Sequence, residues 1–213
     1  MEITWHGQSC FSVKSKDGTV VIDPHKGTGL PEPKLRADIL LITHNHEDHN
    51  NIKAVRGISQ KEPLIISGPG EYEFGNIVVI GISSFHDDRG GKNTIYVLKT
   101  EDISVCHLGD LGQKLLSDSQ LEALNDVDIL MIPVGGKYTI NGKEALEIIS
   151  QIEPKIVIPM HYKIPGLSID IDGIEEFSQA EGISAEATKD ILKVKATSLP
   201  QDERETVILK SRK

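Results

Sequence analysis

The segment His44-Asn45-His46-Glu47-Asp48-His49 contains three of the chain's eight histidines within six positions. A neutral imidazole is a good ligand for zinc and similar divalent metals, and a carboxylate is a harder ligand for the same ions. Ligands at i, i+2, i+4 and i+5 of one loop can point in two directions, which suits two neighbouring ions better than one closed tetrahedral site. The alternative is a solvent-exposed, histidine-rich turn.

One loop cannot complete two coordination spheres, so further ligands must come from other segments. His86, Asp110 and His161 each come shortly after an apolar run of strand length, as His44 does after Asp38–Thr43. Because the carboxyl ends of parallel strands meet at one edge of a layered fold, we expect these side chains to converge there. A single histidine after a strand is more often structural, but the recurrence at separate strand ends favours a shared site.

The elements that must position these residues are mostly short strands. Antiparallel strands early in the chain, and strands alternating with helices later, predict two sheets packed face to face with helices on their outer faces. Capping-box patterns predict helices beginning near Ser119–Glu122 and Asn141–Glu144, and Asp172–Gly182 is predicted as a third helix. Apolar runs bounded by turn residues predict strands at Glu2–Trp5, Cys10–Val13, Thr19–Ile22, Asp38–Thr43, Leu64–Ser67, Ile77–Ile82, Thr94–Leu98, Ile103–Cys106, Ile129–Ile132, Ile156–Ile158 and Thr206–Leu209.

Length and composition restrict the class of protein. A chain of 213 residues that is 38% hydrophobic and 26% charged fits one ordinary globular domain. Its net charge of -9 argues against a nucleic-acid partner. The sequence has neither an apolar run near the ~18 residues of a membrane span nor a secretory signal, so we expect no membrane contact and a cytoplasmic location. Cys10 and Cys106 are predicted to be buried, reduced thiols.

A family resemblance follows from the ligand motifs. THNHEDHN resembles the signature H-x-H-x-D-H of the metallo-β-lactamase superfamily, and His86, Asp110 and His161 match its remaining motifs in order. The resemblance runs from ITWHGQSCF through VIDP to IPMHY and is greatest to the branch with ascorbate-6-phosphate lactonase-like proteins. It implies an α+β fold, a four-layer αβ/βα sandwich, as a single domain over residues 1–213.

The resemblance also implies a dinuclear metal centre. Two divalent ions are expected as cofactors, with zinc favoured and manganese or iron as alternatives. A hydroxide held by these ions would cleave a small ester, lactone or phosphoester, and the substrate is expected to be a small molecule that could be anionic. The implied ligands are two groups of three and a bridging carboxylate: His44, His46 and His86 for the first ion, Asp48, His49 and His161 for the second, and Asp110 between them.

Catalytic and supporting roles are predicted for a few neighbouring residues. Asp48 is expected to orient the attacking hydroxide in addition to binding metal. His107 is a candidate proton donor to the leaving group, with a packed structural histidine as the alternative. Asp23 matches an aspartate that braces the histidine loop in this superfamily, and a turn residue before Pro24 is the alternative.

Other positions near the motifs carry weaker signals. Gln8 stands where the branch often has a histidine, and an amide cannot transfer a proton. Lys137 and Tyr138 are candidates to contact an anionic substrate, with a plain tight turn as the alternative. The segment Arg89-Gly90-Gly91-Lys92 is predicted to be a surface loop, with phosphate binding as a second hypothesis.

Other functions of the same fold remain alternatives. They are a phosphodiesterase or nuclease acting on RNA, a cyclic nucleotide or a phospholipid; a thiolesterase of the glyoxalase type; a di-iron oxygen-reducing enzyme; and a metal-binding protein without turnover. The di-iron class typically replaces a first-motif histidine, and His46 is intact. Retention of all seven ligand positions favours an enzyme, and the lack of an export signal argues against β-lactam substrates. The sequence does not indicate an oligomeric state.

Overall fold

The computed structural model of the protein describes residues 1–58, 61–86 and 91–212. In spatial order the first sheet contains β15 (Leu192–Lys193), β1 (Glu2–Trp5), β2 (Phe11–Lys14), β3 (Thr19–Ile22), β5 (Ile39–Ile42) and β7 (Leu64–Ser67). Adjacent strands from β1 to β3 are antiparallel, with the predicted hairpin turn at Lys16–Gly18, and β3, β5 and β7 run parallel. The carboxyl ends of β1, β3 and β5 therefore lie at one edge.

The second sheet is also mixed. In spatial order it contains β16 (Glu205–Thr206), β13 (Ile156–Met160), β12 (Ile129–Pro133), β11 (Ile103–His107), β10 (Lys92–Thr100), β9 (Ile77–Phe85) and β8 (Gly70–Phe74). Adjacent strands from β8 to β11 are antiparallel, and β11, β12, β13 and β16 run parallel. The carboxyl ends of β9, β11, β12 and β13 consequently share an edge.

Short strand pairs and helices complete the fold. Strand β4 (Leu35–Ala37) pairs with β6 (Val55–Gly57), and β14 (Thr188–Lys189) pairs with β17 (Ile208–Leu209). The predicted final strand, Thr206–Leu209, is thus divided between two sheets. The helices are α1 (Asp118–Ala123), α2 (Gly142–Ile152) and α3 (Glu175–Glu181), with 3-10 turns at Ile52–Ala54 and Ala196–Ser198.

Helix capping follows the sequence for α2 but not for the others. Asn141 and Glu144 form the predicted capping box of α2. At α1 the box is made by Ser117 and Gln120, two residues earlier than predicted. Asp172 does not cap α3, because the helix begins later and Ile174 occupies its N-cap position; the Asp172 backbone amide donates to the Gly135 carbonyl.

The core lies between the sheets. Strands β3 and β5 direct Ile22 and Leu41 into the main apolar cluster, whereas Leu40 and Ile42 face the opposite side. The residues packed on that outer side come from β4 and β6, where the prediction placed helices. Helix α2 packs against α3 and β12. This arrangement agrees with the predicted α+β sandwich. No helix in the described ranges is long and apolar enough to cross a membrane.

The two cysteines behave as predicted. Cys10 and Cys106 are both buried, free thiols. Burial raises the pKa of each thiol well above its usual value, so both remain protonated at neutral pH. Neither side chain is therefore a nucleophile in this structure.

A buried tyrosine hydroxyl joins the two sheets. Tyr96, on β10 of the second sheet, accepts a hydrogen bond from the Gly68 amide at 2.9 Å. Its hydroxyl also donates to the Ile42 carbonyl of the first sheet at 3.0 Å. The phenol oxygen thus bonds to the backbone at the ends of β5 and β7, and removing a buried hydrogen-bond partner is costly.

Removing this hydroxyl should weaken the contact between the sheets. We expect Tyr96→Phe to lower the free energy of unfolding by about 1–3 kcal/mol, measured by urea denaturation. Tyr72→Phe is the matched control, because the Tyr72 hydroxyl makes only 3.3 Å contacts to carbonyls in the same region and its residue is half-buried. Equal losses in the two variants would contradict a specific role for Tyr96.

Candidate metal centre

Strand ends from both sheets deliver the candidate ligands to one place. The histidine-rich segment follows β5, whose carboxyl end lies beside that of β3. In the second sheet, the remaining candidates follow β9, β11 and β13, whose carboxyl ends share an edge. The structure brings together the residues that the motif analysis proposed as ligands: His44, His46, Asp48, His49, His86, Asp110 and His161.

One carboxylate oxygen lies at the centre of this group. Asp110 Oδ2 is 3.2 Å from Nε2 of His49, 3.3 Å from Nε2 of His161 and 3.4 Å from Nε2 of His86. Nε2 of His44 is slightly farther away, at 3.8 Å. Asp110 Oδ2 therefore lies within 3.8 Å of imidazoles from both of the ligand groups that the resemblance implied.

The surrounding ligand-type atoms form the two predicted groups. One set, His44, His46 and His86, has donor atoms that all lie within 4.8 Å of one another. The same holds for the set Asp48, His49 and His161. Their proximity agrees with the division that the family resemblance implied, and metal ligation itself stays a prediction.

Asp23 fixes the orientation of His49 directly and of His44 through Thr43. Its carboxylate is fully buried and accepts from the His49 Nδ1–H at 3.0 Å. It also accepts from the Thr43 backbone amide at 2.8 Å and from the Thr43 hydroxyl at 2.6 Å. Because that hydroxyl has only one proton, it must accept from His44 Nδ1 at 3.0 Å. The predicted bracing of the histidine loop by Asp23 is confirmed.

Unpartnered ring nitrogens provide a test of whether a metal fits here. Within the described residues, His49 Nε2 and His161 Nδ1 are buried without a well-aligned hydrogen bond, although His49 Nε2 lies 3.2 Å from Asp110 Oδ2 and the other nitrogen of His161, Nε2, approaches the same oxygen. A buried donor or acceptor without a partner is rare and calls for an unseen one. The His49 Nδ1–H donates to Asp23, so its Nε2 is the ring atom directed at Asp110 Oδ2, 3.2 Å away. A set of imidazole and carboxylate ligands suits zinc, manganese or iron.

The charge distribution also favours a cation. Burial, and secondarily the His49 charge, lower the pKa of His44 to about 3, so this imidazole is neutral at physiological pH. Burial opposes ionisation of Asp110, yet His161 and His49 hold its pKa well below the usual value. The pKa of His49 is raised despite burial, because Asp110, Asp23 and Asp48 surround it. Asp110, Asp23 and Asp48 therefore favour positive charge at the position of the His49 ring.

The backbone amide of Asp110 is hydrogen-bonded to Asn93, a residue that the sequence motifs did not indicate. Asn93 is buried on β10, and its Oδ1 accepts from the Asp110 amide at 3.1 Å. Its Nδ2 donates to Ser84 Oγ and to the Leu108 carbonyl. Gly109 has φ of +59°, and a Cβ there would lie 2.3 Å from Asn93 Oδ1. The only sequence signal was a polar residue at the start of an apolar strand.

His107 does not reach the site, which corrects its predicted role as a proton donor. The ring is fully buried, and its Nε2 donates to the Ser9 carbonyl at 2.9 Å. Its Nδ1 accepts from the Gly109 amide at 3.0 Å. With both nitrogens engaged inside the core, His107 is the packed structural histidine that the sequence analysis kept as its alternative. Ser9 Oγ in turn donates to Asp110 Oδ1 at 3.3 Å.

Gln8 holds Asp48 from the first sheet. It is fully buried, and its Nε2 donates to Asp48 Oδ2 at 2.9 Å. Its backbone carbonyl accepts from Trp5 Nε1 and from the His161 amide. Contacts with His49 and Gln8 hold the pKa of Asp48 well below its usual value even though partial burial opposes this. Gln8 therefore positions a carboxylate, as expected for a group that cannot transfer a proton.

A pocket of about 350 Å³ opens onto the centre. Tyr138 lines it, as anticipated, whereas the Lys137 ammonium pairs with Asp170 at 2.8 Å. Arg89 and Gly90, considered for phosphate binding, lie outside the described residues. Lys26 lines the pocket although the sequence analysis did not select it. The full lining is Lys26, Gly27, His46, Glu47, Asp48, His86, Asp110, Tyr138, His161 and Ile169.

Comparison with known proteins agrees with this fold. A protein from Pyrococcus abyssi is 30% identical over 182 aligned residues, covering 76% of this chain and 83% of that protein. A protein named as a metal-dependent hydrolase from Carboxydothermus hydrogenoformans is 28% identical and covers 86% of this chain and 95% of its own length. A Thermotoga maritima crystal structure, described as a zinc-dependent hydrolase of the metallo-β-lactamase superfamily, matches with a TM-score of 0.79 and 33% identity over 98% of each chain.

The α+β sandwich is thus confirmed. The family model for the beta-lactamase superfamily domain matches residues 2–161, which include every candidate ligand from His44 to His161. On this match, and on the Thermotoga structure, the chain belongs to the metallo-β-lactamase superfamily.

Proposed function

We propose that the protein is a metal-dependent hydrolase that uses a dinuclear centre, with zinc as the expected metal, to cleave a small ester, lactone or phosphoester. The observation that carries the proposal is the position of Asp110 Oδ2 among the imidazoles of His49, His86 and His161. The names of the Carboxydothermus and Thermotoga relatives support metal-dependent hydrolysis.

The two residue groups around Asp110 would each hold one ion. His44, His46 and His86 form one group, and Asp48, His49 and His161 form the other. When bound, divalent ions would act as Lewis acids that acidify water and polarise the bond under attack. Manganese and iron suit the same ligands and are the alternatives to zinc.

The protein's own residues supply orientation and proton handling. Asp23 orients His49 directly and His44 through Thr43, so both rings direct Nε2 toward Asp110 Oδ2. Asp48 stays ionised and lines the pocket, where it is suited to accept a hydrogen bond from the attacking water. The Gln8 amide fixes this carboxylate in place.

The pocket favours a small substrate with a negative charge. Its volume of about 350 Å³ is in the usual range for small-molecule sites. Among the described residues that line it, Lys26 is the one lysine or arginine. A single cation suits one carboxylate or phosphate group and is insufficient for a long RNA, which requires several phosphate contacts. The net charge of -9 also disfavours a nucleic-acid substrate.

Asp110→Ala tests the shared ligand. Because this carboxylate lies next to both proposed ligand groups, we expect loss of bound metal and a fall in the rate of hydrolysis of more than about 100-fold. This is a larger fall than the loss of a residue that only supports a metal ligand would cause. Metal content would be measured by mass spectrometry, and hydrolysis with p-nitrophenyl acetate, a γ-lactone and p-nitrophenyl phosphates. Asp190→Ala, at an exposed carboxylate, is the control. Two bound ions and unchanged hydrolysis in Asp110→Ala would refute the proposal.

The variant Asp23→Asn tests whether the hydrogen bonds of Asp23 hold the candidate metal ligands in place. An amide has one oxygen and so cannot accept from the Thr43 amide, the Thr43 hydroxyl and His49 together, while its own N–H groups oppose the His49 donor. We expect metal affinity to fall by about 10–100-fold with the fold retained, measured by competition with a chelator. Asp190→Asn should leave affinity unchanged. A metal affinity equal to that of the wild type in Asp23→Asn would contradict the proposed role of this contact.

Lys26→Ala tests the charge preference of the pocket. Losing a charge-assisted hydrogen bond of about 1.5–3 kcal/mol should raise KM for an anionic ester at least tenfold while kcat is preserved. A neutral ester of the same size should be unaffected, and Lys53→Ala, outside the pocket lining, serves as the control. Equal changes for neutral and anionic esters would show that Lys26 does not select the substrate.

A further inference from the structure

A second cavity, of about 530 Å³, lies beside the candidate metal centre. Within the described part of the chain, none of its lining residues also lines the first pocket. Residues 29–31 and 164–166 line the cavity, together with the C-terminal segment 209–212. Its volume lies within the roughly 300–1,000 Å³ typical of small-molecule sites.

A thin backbone wall separates the two cavities. The Ser168 amide donates to the Thr28 carbonyl at 2.7 Å. Next to this bond, Gly29 has φ of +83°, and a Cβ there would lie 2.6 Å from the Gly166 carbonyl oxygen. The neighbours Gly27 and Ile169 face the metal pocket, whereas Gly29 and Gly166 line the second cavity. The close contact of these two segments keeps the sites distinct.

Most of the second cavity is apolar. Trp5 and Tyr162 are buried side chains of its lining, with ring centroids 5.1 Å apart. Leu30 and Ile164 are half-buried and line it as well. Aromatic and aliphatic walls of this kind bind the apolar body of a ligand.

The charged residues of the lining all carry positive charge. They are Lys210 and Arg212, and in the described part of the lining no acidic residue accompanies them. Arg212 is exposed, is anchored by its backbone amide to the Trp5 carbonyl, and makes no ion pair with any described residue. Among the described residues, the Lys210 ammonium has one carboxylate within ion-pair distance, that of Asp190 at 4.0 Å. On a chain of net charge -9, such a rim is selective for an anion.

We infer that this cavity is a second binding site, for a small amphipathic carboxylate. The alkyl or aryl body of the ligand packs against Leu30 and Ile164, over the buried rings of Trp5 and Tyr162. Its carboxylate pairs with Arg212, whose guanidinium matches carboxylate geometry, and with Lys210. The site requires no metal, because its lining is separate from the candidate centre.

Decanoate is a suitable probe, with decanol and decylammonium as neutral and cationic partners of equal chain length. Binding to the full chain would be followed by isothermal titration calorimetry, and by the fluorescence of Trp5, the only tryptophan of the sequence. We expect one saturable decanoate site per chain, a change in Trp5 emission, and at least about tenfold weaker binding of decanol and decylammonium. No saturable binding, or equal affinity for the three probes, would overturn the inference.

Variants locate the site. Arg212→Ala combined with Lys210→Ala should weaken decanoate binding about tenfold or more and leave decanol binding unchanged. Ile164→Glu should abolish decanoate binding by placing a like charge in the wall. The control, Lys143→Ala with Lys189→Ala, removes equal charge outside the cavity lining and should have no effect on decanoate binding.

Decanoate binding should persist in His86→Ala and in the presence of a chelator. Loss of binding there would place decanoate in the metal pocket and overturn the inference.

Discussion

The structure depends on one buried carboxylate. Asp110 is 2% exposed, and burying an isolated carboxylate costs several kcal/mol, so the fold must surround it with compensating groups. Imidazoles from both sheets face Oδ2, and the Ser9 hydroxyl donates to Oδ1. The backbone amide of the same residue is held by Asn93. The surrounding loops can be understood as the scaffold that makes this charge tolerable and available to a cation.

Strand direction explains why the scaffold works. In both sheets, the strands that precede candidate ligands have their carboxyl ends at a common edge, so short loops suffice to bring them together. Asp23 and Gln8 use the same edge: each follows a strand of the first sheet and contacts a member of the histidine-rich segment. The site therefore results from topology in combination with a few strand-end residues.

Sequence reasoning predicted most strands, the α2 cap and the clustering of the candidate ligands, because each depends on local patterns or on a motif. It missed Asn93 and misplaced His107, since both depend on which face of a strand is buried and which backbone groups lie opposite. The α1 and α3 caps were misassigned because several polar residues could cap each helix, and tertiary contacts select among them. Strands β4 and β6 cover the outer face of the first sheet, and the hydrophobic periodicity of their short sequences does not predict this position.

The tight turn at Gly109 has a consequence for how the site is assembled. Any Cβ at this position would collide with Asn93 of the second sheet and approach Thr43, which follows a strand of the first, to 2.9 Å. The Thr43 carbonyl also accepts from the Thr94 amide, so the two halves meet at this point. A cation site built across such a seam cannot pre-exist in either half alone. It exists only where the two sheets are docked, and a bound ion would then hold them together.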